Sequence, residues 1–375
     1  MKPSVIGESE RIQRWQVPTA VLGLDLSPDE LVAYVGTFAG VGLLNLQNGE
    51  FEPLYAHESY VSGVHLIPET NLLVSSGYDG QLRWYDLEKR EVLRTIAVAD
   101  SWIWNMAVGR PAEQSPRIAT VSGRYLAGDY EYRPLPSDRP NVHVWDAISS
   151  ERLHQFTMLP PVQAVAFSPC GTRLAAANLM GDVQVWDLTK ASIHEAATTR
   201  PPDWSWNTPD FTAFGVIKSH CQVGGIYAIA FTTDGQSVIV AGMGPMVDPM
   251  AGNGRQRWQR FSLVPGQADQ KWQSKDEQLG EGLMEALAVH PMDGTFAMSG
   301  RLRGGAFNTG LFSVDSGDLI YGFKTDSRVT KARFLSDGRT MILAGALSQS
   351  ADAGHRFGVV DVFRQRPIDA EKTVG

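Results

Sequence analysis

The chain has 375 residues, of which 20% are charged and 43% hydrophobic, a composition typical of a folded globular protein. Its net charge of −8 argues against a general nucleic-acid binder, because such proteins usually present a basic face. The first residues lack the apolar core of a signal peptide, and no apolar run approaches membrane-spanning length. We therefore expect a cytoplasmic protein without membrane contact. Two cysteines are too few for a disulfide framework, so Cys170 and Cys221 are expected to be free thiols.

An alternating segment at residues 10–17 follows nine residues that are expected to be flexible. This segment is typical of a strand, but no earlier strand can pair with it. The last predicted strand, at 357–363, also lacks a partner, so the N-terminal segment is predicted to complete the last sheet. The alternative is that residues 368–374 supply this strand, within a C-terminal tail expected at 367–375.

Residues 57–96 hold four short alternating segments separated by turns, which is typical of a four-stranded antiparallel meander. The predicted strands are 61–66, 72–75, 81–85 and 91–96. A sheet of this size is too small to be stable alone, so further copies are expected.

A turn signal follows the first strand of each of seven units. It occurs at residues 26–30, 66–70, 108–111, 167–171, 231–235, 289–294 and 334–338. A second marker, an aromatic residue followed by Asp in the third strand, occurs at 85–86, 145–146 and 186–187. At these residues the chain resembles the WD40-repeat family of β-propellers, over roughly residues 10–366. The resemblance implies an all-β fold, a single seven-bladed propeller of four-stranded antiparallel blades that is closed by the N-terminal strand.

The resemblance also implies a buried hydrogen-bond network with a structural role. In the second unit its members would be His57, Ser75 and Asp79, with Tyr85 standing where Trp is usual. The Asp residues that follow Trp in the third strands are expected to hold turns. The whole structural set is His57, Ser75, Asp79, Trp145, Asp146, Trp186 and Asp187.

Five segments exceed the length of the shortest repeats. They are residues 124–140, 198–218, 243–257, 301–310 and 346–356. If the strands of a blade are lettered a to d from the channel outward, the b–c and d–a connections emerge on one face, here called the insertion-bearing face. All five segments are assigned to such connections. Loop length by itself costs little free energy, so insertions without a function should be shared by both faces. Their concentration on one face therefore predicts a binding surface. The alternative is that the insertions pack only on one another or on a neighbouring blade.

Two sets of first-strand positions are predicted to surround the central channel. The residues just before each first strand should ring its mouth: Ala20, Tyr60, Trp102, Pro161, Gly225, Leu283 and Arg328. The residues three positions later are mostly small, as expected for a narrow channel: Gly23, Gly63, Asn105, Ala164, Ala228, Ala286 and Lys331. Lys331 departs from this pattern and is expected to reach solvent or a carboxylate.

Aromatic and basic side chains are concentrated on the insertion-bearing face. Tyr60 and Trp102 are suited to anchor a protein partner, whereas Trp204 and Trp206 are expected to form the small core of their own loop. Basic residues over blades 5 to 7, among them Arg301, Arg303, Arg328 and Lys331, form a predicted anion-favouring sector. The alternative is that they are ordinary solvated surface. The predicted partner-binding residues are Tyr60, Trp102, Trp104, Asn105, Arg301, Arg303, Arg328 and Lys331.

The sequence contains no phosphate-binding loop, paired-histidine metal motif or nucleophile elbow. We therefore predict a non-enzymatic scaffold with no catalytic residue, cofactor or metal, which binds a protein or peptide partner on the insertion-bearing face. The first alternative is an enzyme or small-ligand receptor with a pocket at the channel mouth on the same face. The second is a structural subunit that binds through the edges of its blades.

Overall fold

The computed structural model describes residues 6–128, 131–135, 139–190, 200–208, 225–248, 253–267, 272–273, 282–301, 306–347 and 357–367. Within these ranges every regular element is a strand, and the strands form seven four-stranded antiparallel sheets plus one two-stranded hairpin. The predicted all-β, seven-bladed propeller is confirmed.

Blades 1 to 3 follow one another along the chain. Blade 1 comprises β2 (Val21–Leu26), β3 (Val32–Thr37), β4 (Val41–Asn45) and β5 (Phe51–Tyr55). Blade 2 comprises β6 (Val61–Leu66), β7 (Leu72–Gly77), β8 (Gln81–Asp86) and β9 (Glu91–Ala97). Blade 3 comprises β10 (Ile103–Gly109), β11 (Arg117–Ser122), β14 (Val142–Asp146) and β15 (Arg152–Phe156), and its b–c connection forms the hairpin β12 (Tyr125–Gly128) and β13 (Glu131–Pro134).

The remaining four blades complete the ring. Blade 4 comprises β16 (Val162–Phe167), β17 (Arg173–Asn178), β18 (Asp182–Asp187) and β19 (Trp204–Asn207). Blade 5 comprises β20 (Gly225–Phe231), β21 (Ser237–Asp248), β22 (Asn253–Ser262) and β23 (Trp272–Gln273). Blade 6 comprises β24 (Met284–Val289), β25 (Thr295–Gly300), β26 (Thr309–Ser313) and β27 (Leu319–Phe323). Blade 7 comprises β28 (Ser327–Phe334), β29 (Thr340–Leu347), β30 (Gly358–Pro367) and β1 (Ile6–Val17).

The N-terminal strand closes the ring as predicted. β1 pairs antiparallel with β30, with Trp15 opposite Val360 and Val17 opposite Gly358. The strand begins at Ile6, before the start expected at residue 10. Trp15 packs into the core between blades 7 and 1, whereas Ile12 is 44% exposed and contributes little burial. This pairing covers the outer edge of β30, which would otherwise offer unpaired backbone groups. The alternative strand at 368–374 lies outside the described residues.

The core is divided among the interfaces between blades. The described residues form seven apolar clusters, and each cluster joins two neighbouring blades. Phe156 of blade 3 stacks on Trp186 of blade 4 at 4.4 Å, and Trp258 of blade 5 meets Phe296 of blade 6 edge-on at 4.9 Å. Full burial of one such side chain contributes about 1.5–3 kcal/mol, so each blade depends on its neighbours for stability.

Each inner strand has a β-bulge near its start. The pairing register with the second strand shifts at the same position in all seven blades. The extra residue of each bulge is Leu22, Ser62, Trp104, Gln163, Tyr227, Glu285 and Thr330. A bulge redirects the side chain that it carries. The next residue belongs to the small ring predicted from the sequence, where space is tight: a Cβ at Gly23 would lie 3.0 Å from the backbone of Gly63.

One predicted insertion is divided between two connections. The segment 198–218 contains β19, the fourth strand of blade 4, so the extra length between Asp187 and Trp204 belongs to a c–d connection. Such connections emerge on the opposite face, so the expectation that all of the extra length lies on one face is wrong. A long d–a connection between Asn207 and Gly225 remains, as predicted. Trp204 and Trp206 belong to a blade, not to the core of a loop. Trp206 stacks on Phe261 of blade 5 at 5.1 Å.

Candidate functional site

Six aromatic rings form a continuous surface on the insertion-bearing face of blades 1 to 3. We call this surface the aromatic patch, and its members are Phe38, Tyr60, Tyr78, Trp102, Trp104 and Tyr125. The centroid of Phe38 lies 4.4 Å from that of Tyr60, and Tyr60 lies 5.7 Å from Tyr78. Tyr78 stacks on Trp102 at 5.2 Å. The row ends where Trp104, which is 5.0 Å from Trp102, stacks on Tyr125 at 5.8 Å.

The patch is both exposed and held in place. Phe38 is 51% exposed and Trp102 is 47% exposed, although both are large apolar side chains. Trp104 is fixed because its indole Nε1 donates a hydrogen bond to the carbonyl oxygen of Gly123 at 2.8 Å. Burial raises the pKa of Tyr78 to about 12, so its hydroxyl is neutral at physiological pH. Rigid rings lose little conformational freedom on binding, which favours affinity.

A groove runs from the patch between blades 2 and 3. A pocket of about 670 Å³ is lined by Trp102, Trp104 and Tyr125. A second pocket of about 560 Å³ shares Asp100, Arg124 and other wall residues with it. The combined space is large enough for an extended peptide segment or a small molecule.

The turn that carries Tyr78 is anchored by the predicted hydrogen-bond network. His57 Nδ1 lies 2.9 Å from Asp79 Oδ2, and His57 Nε2 lies 2.7 Å from Ser75 Oγ. Burial opposes ionisation of Asp79, but the hydrogen bond from His57 lowers its pKa below the ordinary value. The Tyr55 hydroxyl also donates to Ser75 Oγ, at 2.9 Å.

The third-strand Trp-Asp pairs lie away from this face. The Asp146 carboxylate accepts a hydrogen bond from the backbone N–H of Ser149 at 2.7 Å, and Asp187 accepts one from Thr189 N–H at 3.0 Å. Both carboxylates therefore hold c–d turns. The preceding side chains, Trp145 and Trp186, are buried in the core.

The channel mouth carries an ion pair between blades 6 and 7. Arg328 Nε donates to Glu285 Oε2 at 2.5 Å, and a second hydrogen bond joins Arg328 Nη2 to Glu285 Oε1. These hydrogen bonds raise the pKa of Arg328. Arg328 therefore stays protonated and its charge is balanced by Glu285, which weakens the predicted anion-favouring sector.

Lys331 and Asn105, the two departures from the small-residue ring, meet across the channel. Lys331 Nζ donates to Asn105 Oδ1 at 3.4 Å, which joins blade 7 to blade 3. The predicted lysine thus reaches an amide oxygen rather than a carboxylate, and part of its side chain stays exposed in the channel. Burial lowers the pKa of Lys331 to about 8, and the charge of Arg333 acts in the same direction.

The predicted partner-binding residues fall into separate groups. Tyr60, Trp102 and Trp104 belong to the aromatic patch, while Asn105 and Lys331 lie within the channel. Arg301 is exposed at the start of the blade 6 connection. Arg328 is paired with Glu285 at the channel mouth. Arg303 lies outside the described residues, as does Cys221.

Sequence reasoning missed Phe38, Tyr78 and Glu285. Phe38 and Tyr78 lie in short b–c connections, whereas the sequence analysis identified the binding face from connections that are unusually long. Glu285 lies at a bulge position, directly before the small-residue ring. A large or charged residue at that position is the signal that could have identified it.

Two further features concern the described part of the chain only. It contains no group of three His, Cys, Asp or Glu side chains that could hold a metal ion. No helix there has the length and apolarity needed to cross a membrane.

Comparison with known proteins agrees with this architecture. Residues 50–86, which include most of blade 2, match the family model described as "WD domain, G-beta repeat". The chain is 31% identical over 144 residues to the ribosome biogenesis protein YTM1 of Coprinopsis cinerea, covering 38% of this chain and 30% of that protein. It is 27% identical over 180 residues to transcription initiation factor TFIID subunit 5 of Caenorhabditis elegans, covering 38% of this chain and 27% of that protein.

A third relative, periodic tryptophan protein 2 of Saccharomyces cerevisiae, is 24% identical over 135 residues, or 36% of this chain and 13% of that protein. The matches thus span less than a third of each relative's length. One matched repeat, seven blades of four antiparallel strands and these partial relatives support the same assignment. The chain is thus a seven-bladed β-propeller that is similar to WD40-repeat proteins over the matched segments.

Proposed function

We propose that this protein is a non-enzymatic, cytoplasmic scaffold that binds a protein or peptide partner through the aromatic patch on its insertion-bearing face. The observation that carries the proposal is the patch itself, six contiguous rings of which Phe38 and Trp102 are about half exposed. Isolated exposed apolar residues are common, but a contiguous apolar surface usually marks an interaction site. Tyr and Trp are also the residues most enriched among binding hot spots.

The relatives support a protein partner rather than another class of ligand. One is named as a ribosome biogenesis protein and another as a subunit of a transcription initiation factor. The word subunit implies assembly with other proteins. We carry over only this general role, as part of the proposal.

A paired affinity experiment tests the docking face. The double variant Tyr60→Ala/Trp102→Ala removes two rings of the patch. The matched control, Ile148→Ala/Met292→Ala, removes two apolar side chains that are 45% and 70% exposed on the opposite face. Each protein is immobilised, after thermal unfolding has shown that it is folded, and captured proteins are quantified by mass spectrometry.

We expect the patch variant to capture a discrete set of partner proteins in amounts at least tenfold lower than the wild type does. The control variant should capture the same set in unchanged amounts. Loss of two anchoring aromatic side chains is sufficient for this, because each hot-spot side chain contributes at least about 2 kcal/mol. Equal capture by all three proteins would contradict the proposed face.

The groove favours a second candidate function, an enzyme or small-ligand receptor on the same face. Its volume of about 670 Å³ beside Trp102 is within the range of small-molecule sites. A small-molecule screen by thermal shift, repeated with Trp102→Ala, distinguishes the two. Specific ligands that lose binding in the variant, together with unaltered protein capture, would favour this candidate.

A further inference from the structure

The central channel contains a cavity that faces away from the aromatic patch. The cavity has a volume of about 530 Å³ and is lined by all seven inner strands, mainly by their second halves. These halves lead into the a–b turns, so the cavity lies on the side opposite the insertion-bearing face. Phe167, Phe231 and Phe334 contribute apolar wall. The polar residues on the wall are Asp25, His65, Asn105, Glu285, Thr330, Lys331 and Arg333.

Both carboxylates on the wall are already paired with other groups. Glu285 binds Arg328 through two hydrogen bonds at the mouth. Asp25 Oδ2 lies 3.4 Å from His65 Nδ1, and it accepts the backbone N–H of Leu66 at 3.0 Å. The other oxygen of Asp25, Oδ1, accepts a hydrogen bond from Arg333 at 3.4 Å. Although burial opposes ionisation, the hydrogen bond to His65 keeps the pKa of Asp25 below its ordinary value.

Neither of these two carboxylates forms an ion pair with Lys331. Its ammonium group offers three donors, and its one described hydrogen bond is the 3.4 Å contact with the amide oxygen of Asn105. Among the described residues, no carboxylate lies within salt-bridge distance of it. A partly buried ammonium group in an open cavity, with a single long hydrogen bond to a neutral group, is suited to receive an anion.

We propose that the channel cavity binds a small organic anion whose carboxylate or phosphate group is held by Lys331. Charge-assisted hydrogen bonds of this type are about twice as strong as neutral ones. Arg333 lies on the same wall, but its charge is balanced by Asp25. The three phenylalanine rings would contact the apolar part of the ligand. This site differs from the aromatic patch in face, in ligand class and in residues.

Binding should depend on pH because the anion requires protonated Lys331. The pKa of Lys331 is about 8, so affinity should be high near pH 7 and should fall as the pH rises through 8 toward 10. The other charged or titratable groups that face the cavity are Asp25, His65, Glu285 and Arg333. A series from pH 7 to 10 lies above the ordinary titration range of histidine and carboxylates. With benzoate, which stays ionised over this range, the series isolates the lysine.

The test is calorimetric titration of the full chain with inorganic phosphate and, separately, with benzoate. Lys331→Met removes the ammonium group, and Lys324→Met is the matched control because Lys324 is exposed outside the cavity. We expect at least one probe to bind the wild type with a dissociation constant below about 10 mM. We expect Lys331→Met to weaken it at least tenfold and Lys324→Met to leave it unchanged.

Any of three results would overturn the proposal. One is that neither probe binds the wild-type protein at pH 7. Another is that Lys331→Met and the wild type bind with equal affinity. Wild-type affinity that is constant from pH 7 to 10 would also overturn it, and this measurement needs no variant.

Discussion

Arg14, on the closing strand β1, forms an ion pair with a buried carboxylate of the neighbouring strand β30. Arg14 Nε donates to Asp361 Oδ1 at 2.6 Å, and its Nη2 donates to Asp361 Oδ2 at 2.7 Å. The Asp361 side chain has no exposed surface, whereas the second partner of Arg14, Asp326, is 55% exposed. The hydrogen bonds from Arg14 lower the pKa of Asp326 to about 2. Arg14 therefore balances a buried negative charge at the point of ring closure.

Replacement of this arginine should destabilise the fold. Arg14→Met removes both arginine hydrogen bonds from the buried Asp361, so we expect the free energy of unfolding to fall by about 3 kcal/mol. The matched control is Arg11→Met. Arg11 is 38% exposed, donates to the exposed Asp326 at 2.9 Å and lies 3.9 Å from Asp361, beyond hydrogen-bond distance, so its loss should cost less than about 1 kcal/mol. Urea unfolding of both variants checks this, and equal destabilisation would show that the buried pair has no special role.

The sequence could not predict this pair, although it predicted the strand. Alternation at residues 10–17 identified β1, and its position before the first blade suggested the closing role. Asp361 lies 347 residues from Arg14 in the chain, so no local pattern connects them. The Asn105–Lys331 pair was missed for the same reason. The sequence identified each residue as a departure from the small-residue ring, but not their contact.

At the scale of elements, turn residues predicted most strands of the blades. The features that they did not predict, β19 and the bulges, depend on contacts between strands. The four strands of blade 2 lie within one or two residues of the prediction because Asp-Gly and Pro-containing turns mark their ends. β19 was missed because its four residues follow two prolines and a long connection. Its packing against Phe261 makes it a strand. The bulges were also invisible, since an extra unpaired residue leaves no mark in a single strand's sequence.

The β12–β13 hairpin can be removed to test its role. It forms a two-stranded sheet separate from blade 3, and its base is closed by the hydrogen bond from Leu135 N to Arg124 O at 3.1 Å. We replace residues 125–134 with a short Gly-Ser turn. Loss of Tyr125 removes the ring that stacks on Trp104, so partner capture should fall at least threefold.

The melting temperature should change little in this deletion variant, because the hairpin belongs to none of the seven blade sheets. Circular dichroism on heating supplies this control. A variant that melts with the wild type and captures partners equally well would show that the hairpin is not part of the docking surface.

At the scale of the whole molecule, the propeller is a ring whose stability is distributed over seven equivalent interfaces. The repeated turn signal was enough to predict this architecture, because each copy specifies the same four-stranded unit. The surface chemistry is not repeated: six aromatic rings lie on the insertion-bearing face over blades 1 to 3. The cavity that contains Lys331 lies toward the other face. Such a ring can hold two different ligands without a change in its core.

The most direct test of partner docking is site-specific photocrosslinking. The photoreactive amino acid benzoylphenylalanine is introduced at Phe38 in the patch or, as control, at Met292 on the opposite face, and each protein is irradiated in native lysate. We predict discrete crosslinked protein products from position 38 that Tyr60→Ala/Trp102→Ala abolishes, and none of these products from position 292. The same products from both positions, or products from position 292 alone, would contradict docking at the aromatic patch.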